Sequence, residues 1–230
     1  MRIVVISDVH SNLEALRAVL NKTGRPDLII NLGDLVGYGA NPNEVVGEIR
    51  DLKIRTLHIR GNHDQASLTA ETWNFNPYAA RAILWTASQL TEENKDFLCQ
   101  LPLKERTQLG NAVTQMFHGS PRNPLDEYIF PWTDERTLQQ LLQMAKANLL
   151  LLGHTHMPMN VQLSLGRILN PGAVGQSRDG DPRASYAEIE VDQSISAEIK
   201  RVDYEVEVAA EKILKAGLPP MLAERLFLGV

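Results

Sequence analysis

Five short apolar runs in this chain each end on a small group of acid, amide and imidazole side chains, and this repetition constrains the fold more than any other feature. The runs cover residues 3–6, 27–32, 54–59, 113–117 and 149–152. They pass into Asp8-Val9-His10, Gly33-Asp34, Gly61-Asn62-His63-Asp64, His118-Gly119 and Gly153-His154-Thr155-His156. Apolar runs of that length bounded by such breaks read as buried strands. After the first, Leu13, Leu16, Val19 and Leu20 recur at helical spacing until Gly24-Arg25-Pro26 stops them, and residues 42–52 read as a second helix. The β-α-β-α-β order predicts a largely parallel, buried sheet. In such a sheet the carboxyl ends of the strands form one rim, so polar groups distant in sequence converge there.

The remainder supplies cover and a second sheet. Residues 77–100 read as helical with a new start at Thr91, a proline-marked loop runs through Pro121, Pro124 and Pro131, and residues 138–144 are helical. Alternation over 159–169 and 184–202 predicts antiparallel strands forming a second sheet, and 206–214 and 220–227 predict short closing helices. With 43% hydrophobic and 22% charged residues, the 230 residues suffice for one core, and no repeat or linker divides them. The expected organisation is a single domain over 1–230.

Five of the six histidines lie in the polar clusters. An i, i+2 pair on extended chain projects to one side, which lets Asp8 with His10, and His154 with His156, face a common centre. Asp8, Asp34, Asn62, His10, His118, His154 and His156 are too many donors for one tetrahedral ion. They suit two ions ~3.5 to 4 Å apart with Asp34 between them. Two divalent ions less two carboxylates leave roughly +2, a charge that attracts phosphate and stabilises an in-line displacement. Mixed imidazole and carboxylate ligands suit manganese, iron, nickel or zinc better than calcium or magnesium. His58, inside Thr56-Leu57-His58-Ile59, reads as structural, and so does Arg60 at the end of the same run.

Taken together, these five clusters resemble the signature of the calcineurin-like metallophosphoesterase superfamily, and Asn170-Pro171-Gly172-Ala173-Val174-Gly175 is similar to a turn of its small prokaryotic phosphodiesterase and phosphatase branch. The resemblance covers residues 1 to about 185. It implies an α/β fold, a four-layer α/β/β/α sandwich of two mixed sheets flanked by helices. It also implies that Asp8, His10, Asp34 and His156 hold one divalent transition-metal ion and that Asp34, Asn62, His118 and His154 hold the other. His63 would be the catalytic non-ligand, donating a proton to the leaving oxygen while a metal-bound hydroxide attacks phosphorus. One departure is informative. The phosphoprotein phosphatases and symmetrical diadenosine tetraphosphate hydrolases carry Asp-Arg where this chain has Gly37-Tyr38. That argues against both branches and leaves Asp64 or solvent to orient His63.

The expected activity is hydrolysis of phosphodiester or phosphomonoester bonds in small phosphorylated substrates, nucleotides among them. The alternative is a non-catalytic interaction platform on the same fold, as in the retromer subunit that resembles the family but lacks the catalytic histidine. A net charge of -5 without a basic run argues against a nucleic-acid partner. The single Cys99 fits a reducing cytoplasm and excludes a thiolate cluster, and no run is long and apolar enough to export or anchor the chain in a membrane. A homo-oligomer is compatible with all of this.

Around the centre, Arg178 either binds substrate phosphate with its planar fork or pairs locally with Asp179 or Asp181. Arg122 is a weaker phosphate candidate. Tyr128-Ile129-Phe130-Pro131-Trp132 is expected to be buried under its loop or at a subunit contact, with stacking of a nucleobase as the other reading. Asn41-Pro42-Asn43 serves as a site wall or a helix cap, and Cys99 as a small core residue.

Overall fold

The structure, a computed structural model describing residues 1–230, contains ten strands and eight helices. The first half alternates β1 (Arg2–Ile6), α1 (Leu13–Thr23), β2 (Leu28–Asn31), α2 (Pro42–Arg50), β3 (Thr56–His58) and α3 (Asn62–Thr69). Next come α4 (Pro77–Gln89), α5 (Glu92–Gln100), β4 (Lys104–Leu109), β5 (Ala112–Phe117), α6 (Glu135–Ala145) and β6 (Leu149–Leu151). The chain finishes with β7 (Pro158–Leu163), β8 (Gly166–Pro171), β9 (Ala184–Val191), β10 (Ile195–Val202), α7 (Val206–Lys215) and α8 (Pro220–Leu228).

Helix starts follow side-chain chemistry. Asn12, Asn76, Thr91 and Asp134 each place a side-chain oxygen on an otherwise unpaired N–H in the first turn of α1, α4, α5 and α6. The expected restart at Thr91 is therefore a real break between two helices. Helix α3 escaped the sequence reading because Asn62–Thr69 has no apolar stripe. It forms because Asp64, at its third position, accepts the Gly61 N–H at 3.0 Å. Strand β4 also escaped, since Lys104–Leu109 is mostly polar and exposed and is held by antiparallel pairing with β5.

The strands form two mixed five-stranded sheets, in the orders β10-β9-β1-β2-β3 and β4-β5-β6-β8-β7. Strands β1, β2 and β3 run parallel as expected. The expectation that 159–169 and 184–202 share a second sheet needs correction. Only β7 and β8 join it, while β9 lies antiparallel against β1 and carries β10 with it into the first sheet. Alternation identifies a strand but not its neighbour, and β9 finds the free edge of β1.

Period-2 side-chain direction explains the layering. Ile3, Val5, Leu28, Ile30, Leu149 and Leu151 pack between the sheets, whereas Val4, Ile6 and Ile29 face α1 and α2 on the other side. Leu150 and Leu152 do the same against α6. The result is the four-layer sandwich, with α4, α7 and α8 forming a further apolar cluster around Tyr38. Cys99 is exposed on α5, so it is not the core residue the sequence suggested; the neighbouring Leu98 fills that place.

Candidate metal centre

All five polar clusters meet at one rim of the sandwich. Asp8, His10, Asp34, Asn62, His63, His118, His154 and His156 are each no more than 9% exposed. Their donor atoms form three overlapping groups within 4.8 Å: Asp8 with His10 and His156, His10 with Asp34 and His63, and Asp34 with His118 and His154. Thus Asp8 and His10 share one subsite, while His154 and His156 face neighbouring subsites of the same centre. The backbone shows why. Asp8, His10, Asp34, His154 and His156 all have φ between 50° and 67°, a left-handed conformation in which the alternation of an extended chain no longer sets side-chain direction. Each such residue costs of order 1–3 kcal/mol, a concentration of strain typical of a functional site.

Backbone groups fix the ligand orientations. Asp8 Oδ2 accepts the His154 N–H at 3.1 Å and Asp34 Oδ1 accepts the His63 N–H at 2.8 Å. The other oxygens, Asp8 Oδ1 and Asp34 Oδ2, are buried without a hydrogen-bond donor, as is His154 Nε2. The imidazoles are held from behind: His10 Nδ1 lies 3.1 Å from Val36 O, His156 Nδ1 2.5 Å from Gln176 O, and His118 Nδ1 2.8 Å from Leu32 O. A carbonyl accepts, so each Nδ1 carries a proton, and in the neutral rings of His10 and His156 Nε2 presents a lone pair.

The three Nε2 atoms then face acceptor atoms. His10 Nε2 and His156 Nε2 are 3.0 Å apart, His156 Nε2 is 3.3 Å from Asp8 Oδ1, and His118 Nε2 is 3.2 Å from Asp34 Oδ2 and 3.1 Å from Asn62 Oδ1. At His10, His156 and Asp8 these are convergent acceptors with no proton between them, which repel unless a cation sits among them, whereas the Asp34 carboxylate keeps a proton on His118 until a cation takes its place. Ligand atoms ~2.1 Å from one ion stand roughly 3.0 to 3.4 Å from each other, the separation found here. The donor set fits divalent metal.

Electrostatics agree. Burial, reinforced by neighbouring histidines, keeps His10 well below its ordinary value. Burial also lowers His154 to about 3, and burial with the Arg178 charge lowers His156. Neutral imidazole is the form that binds metal. His118 is the exception: burial opposes its protonation, but the adjacent Asp34 carboxylate raises it to about 10.

His63, at the start of α3, is lowered to about 4 by burial. Asp64 does not orient it, because that carboxylate accepts backbone N–H groups from Asp34, Val36 and Gly61 at 2.9, 3.1 and 3.0 Å. The ring is instead packed by Tyr38 and Phe75, with centroids at 4.5 and 4.9 Å. Gly37, at φ 96°, lies against it: a Cβ there would stand 2.5 Å from His63 Nδ1. The Gly37-Tyr38 departure seen in the sequence therefore builds a different seat for this histidine.

A cavity of about 400 Å³ opens beside these residues, lined by Asn62, His63, Phe75, Tyr128, Arg178 and Arg225 among others. Arg178 makes neither local ion pair, since Asp179 pairs with Arg201 and Asp181 with Arg183. Its Nη2 donates to the Tyr38 hydroxyl at 3.1 Å. Arg122 instead grips Glu127 with two nitrogens and is not among the residues lining the cavity. The expectation that the aromatic segment is buried under its own loop is corrected. Ile129 alone is buried, while Tyr128 and Trp132 are 47% and 70% exposed. Tyr128 stacks on His154 at 3.9 Å, and Phe130 and Trp132 continue the stack outward. His58 is half-buried, edge-on to Phe97, as a structural residue should be. Phe75 and Arg225 carried no sequence signal at all.

A profile of the calcineurin-like phosphoesterase superfamily domain matches residues 1–194, and the chain belongs to that superfamily. It is 42% identical to an uncharacterised protein of Methanocaldococcus jannaschii, with 99% of this chain and 98% of that one aligned. Among solved structures it is similar to a metallophosphoesterase from Sphaerobacter thermophilus, with 40% identity, a TM-score of 0.85 and coverage of 100% and 99% of the two chains. A hypothetical protein from Pyrococcus horikoshii shares the fold at 21% identity, with a TM-score of 0.91 and coverage of 100% and 98%. The protein is accordingly a metal-dependent phosphoesterase, a hydrolase of ester bonds that binds divalent metal.

Proposed function

We propose that the whole chain, 1–230, is one catalytic domain that binds two divalent transition-metal ions (manganese, iron, zinc or nickel) and hydrolyses phosphodiester or phosphomonoester bonds of small phosphorylated substrates, nucleotides included. The observation that carries this reading is the set of buried, unpartnered acceptors at one rim, Asp8 Oδ1, Asp34 Oδ2 and His154 Nε2, beside His10 Nε2 and His156 Nε2 facing each other. Asp8, His10, Asp34 and His156 would hold one ion, and Asp34, Asn62, His118 and His154 the other. Ions so held supply Lewis acidity toward a phosphoryl group and lower the pKa of bound water.

The chain's own groups position the substrate and stabilise the leaving oxygen. Asn62 and His63 begin α3, so the positive end of that helix points toward an entering anion. Arg178, anchored by Tyr38, offers its remaining donors to phosphoryl oxygens. His63 Nδ1 has no partner and lies against Gly37, which leaves Nε2 for the cavity. There the neutral ring donates a hydrogen bond to the leaving oxygen and stabilises the charge that builds on that atom. Tyr128, exposed in the cavity wall with its faces stacked on His154 and Phe130, gives a nucleobase its ring edge to pack against.

The interaction-platform alternative is the weaker reading, because this chain has His63, the catalytic histidine that the retromer subunit lacks, beside the candidate ligand groups. No helix is long and apolar enough to cross a membrane, and the cytoplasm is the compartment proposed. The test is hydrolysis of p-nitrophenyl phosphate and bis-p-nitrophenyl phosphate with added manganese. Wild type turns over at least one of them, and Asp34→Asn and His63→Ala lose 10²-fold or more. A wild type silent with every metal tried sinks the proposal.

A further inference from the structure

Two arginines share the wall of the cavity, Arg178 after the last glycine-rich turn and Arg225 on α8. Residue 225 lies beyond the 1–194 span that the superfamily profile matches. Arg178 donates to a phenol oxygen and Arg225 Nε donates to the main-chain oxygen of Val230. The aspartates near Arg178 in sequence are committed to Arg201 and Arg183. Arg178 Nε is buried with no hydrogen-bond partner. Two guanidinium groups on one cavity, with donors unspent, repel each other; burial and the Arg178 charge both lower the pKa of Arg225. Such an arrangement is stabilised when an anion enters between them.

The placement of Arg225 is built and not incidental. Its neighbours Leu222, Ala223 and Leu226 bury α8 in the cluster that holds Tyr38, the residue that also anchors Arg178. One packed unit thus presents both cations. The cavity, about 400 Å³, falls within the ~300–1,000 Å³ range of small-molecule sites and has room beyond a single phosphate.

We infer that Arg178 and Arg225 form a second-anion subsite, so that the preferred substrates carry a second phosphoryl group besides the one presented to the metal ligands, and that α8 is a specificity element of the active site. This rests on the phosphoesterase reading above for the place of the first group. The test is calorimetric binding of methylphosphonate and methylenediphosphonate, which bear one and two phosphonate groups and are not hydrolysed, to the manganese-loaded protein. Wild type binds the diphosphonate at least tenfold more tightly. Arg225→Gln narrows that ratio by about tenfold, and Arg225→Lys restores part of it. Chelation of free manganese is common to all three proteins and cancels between them. A ratio identical in wild type and Arg225→Gln, or equal weakening of both ligands, overturns the inference. Since calorimetry needs no turnover, failure of the ratio and failure of p-nitrophenyl phosphate hydrolysis are separate results.

Discussion

Replacing Gly37 by alanine isolates the seat of His63 from the metal ligands. The new Cβ would stand 2.5 Å from His63 Nδ1 and 3.1 Å from its Cγ. Non-bonded heavy atoms prefer about 3.5 Å, so the ring must withdraw by about 1 Å. It cannot slide freely, because Tyr38 and Phe75 pack on it at 4.5 and 4.9 Å. A 1 Å misplacement of a catalytic group costs on the order of 10² in rate. The φ of 96° adds about 1–3 kcal/mol of backbone strain, read as lost stability. Steady-state kinetics with p-nitrophenyl phosphate should show kcat down about 100-fold while manganese content stays within about twofold of wild type. Gly47→Ala is the control, since its Cβ meets nothing within 4 Å in α2. A folded, metal-loaded Gly37→Ala whose kcat stays within about threefold of wild type would refute the reasoning.

Three further outcomes follow from the same geometry. Asp64→Ala strands the N–H groups of Asp34, Val36 and Gly61 and should cost about 3 kcal/mol or more in urea denaturation, with Asp64→Asn recovering part. His58 is held at about 4 by burial, against 6.5 for a free imidazole. As pH falls from 6.5 toward 4 the unfolded chain takes up a proton that the folded chain refuses, so stability drops, by at most about 3 kcal/mol. His58→Gln should flatten that part of the stability profile. Tyr128→Ala should raise KM for a nucleotide by about tenfold relative to p-nitrophenyl phosphate if the exposed ring carries the base, and parallel changes would reject that role.

The sequence exposed the centre because its residues sit at strand ends, where apolar runs stop abruptly. Asp8, Asp34 and Asn62 needed only the rule that such ends share a rim, whereas His118 and His154 follow β5 and β6 of the other sheet and reach that rim because the two sheets stack. Their division into subsites came from the family resemblance and not from spacing, since left-handed backbone at Asp8, His10 and His154 replaces the extended geometry that spacing suggests. The sheet of β9 and β10 was hidden for a different reason: alternation is a local property, and pairing with β1 is not. Helix α3 and strand β4 lack apolar periodicity and depend on Asp64 and on β5. Arg225 reaches the cavity only through packing of α8 on Tyr38, a contact between residues far apart in the chain. The exposure of Tyr128 and Trp132 ran against their hydrophobicity because stacking on His154 and along the loop supports the rings without burying them.

The central claim is that the buried lone pairs of this rim belong to two cations. Anomalous scattering from crystals of the protein grown with manganese tests it directly. The account predicts two peaks, one among Asp8, His10 and His156 and the other among Asn62, His118 and His154, with Asp34 between them. A single peak, or peaks away from these residues, would contradict it.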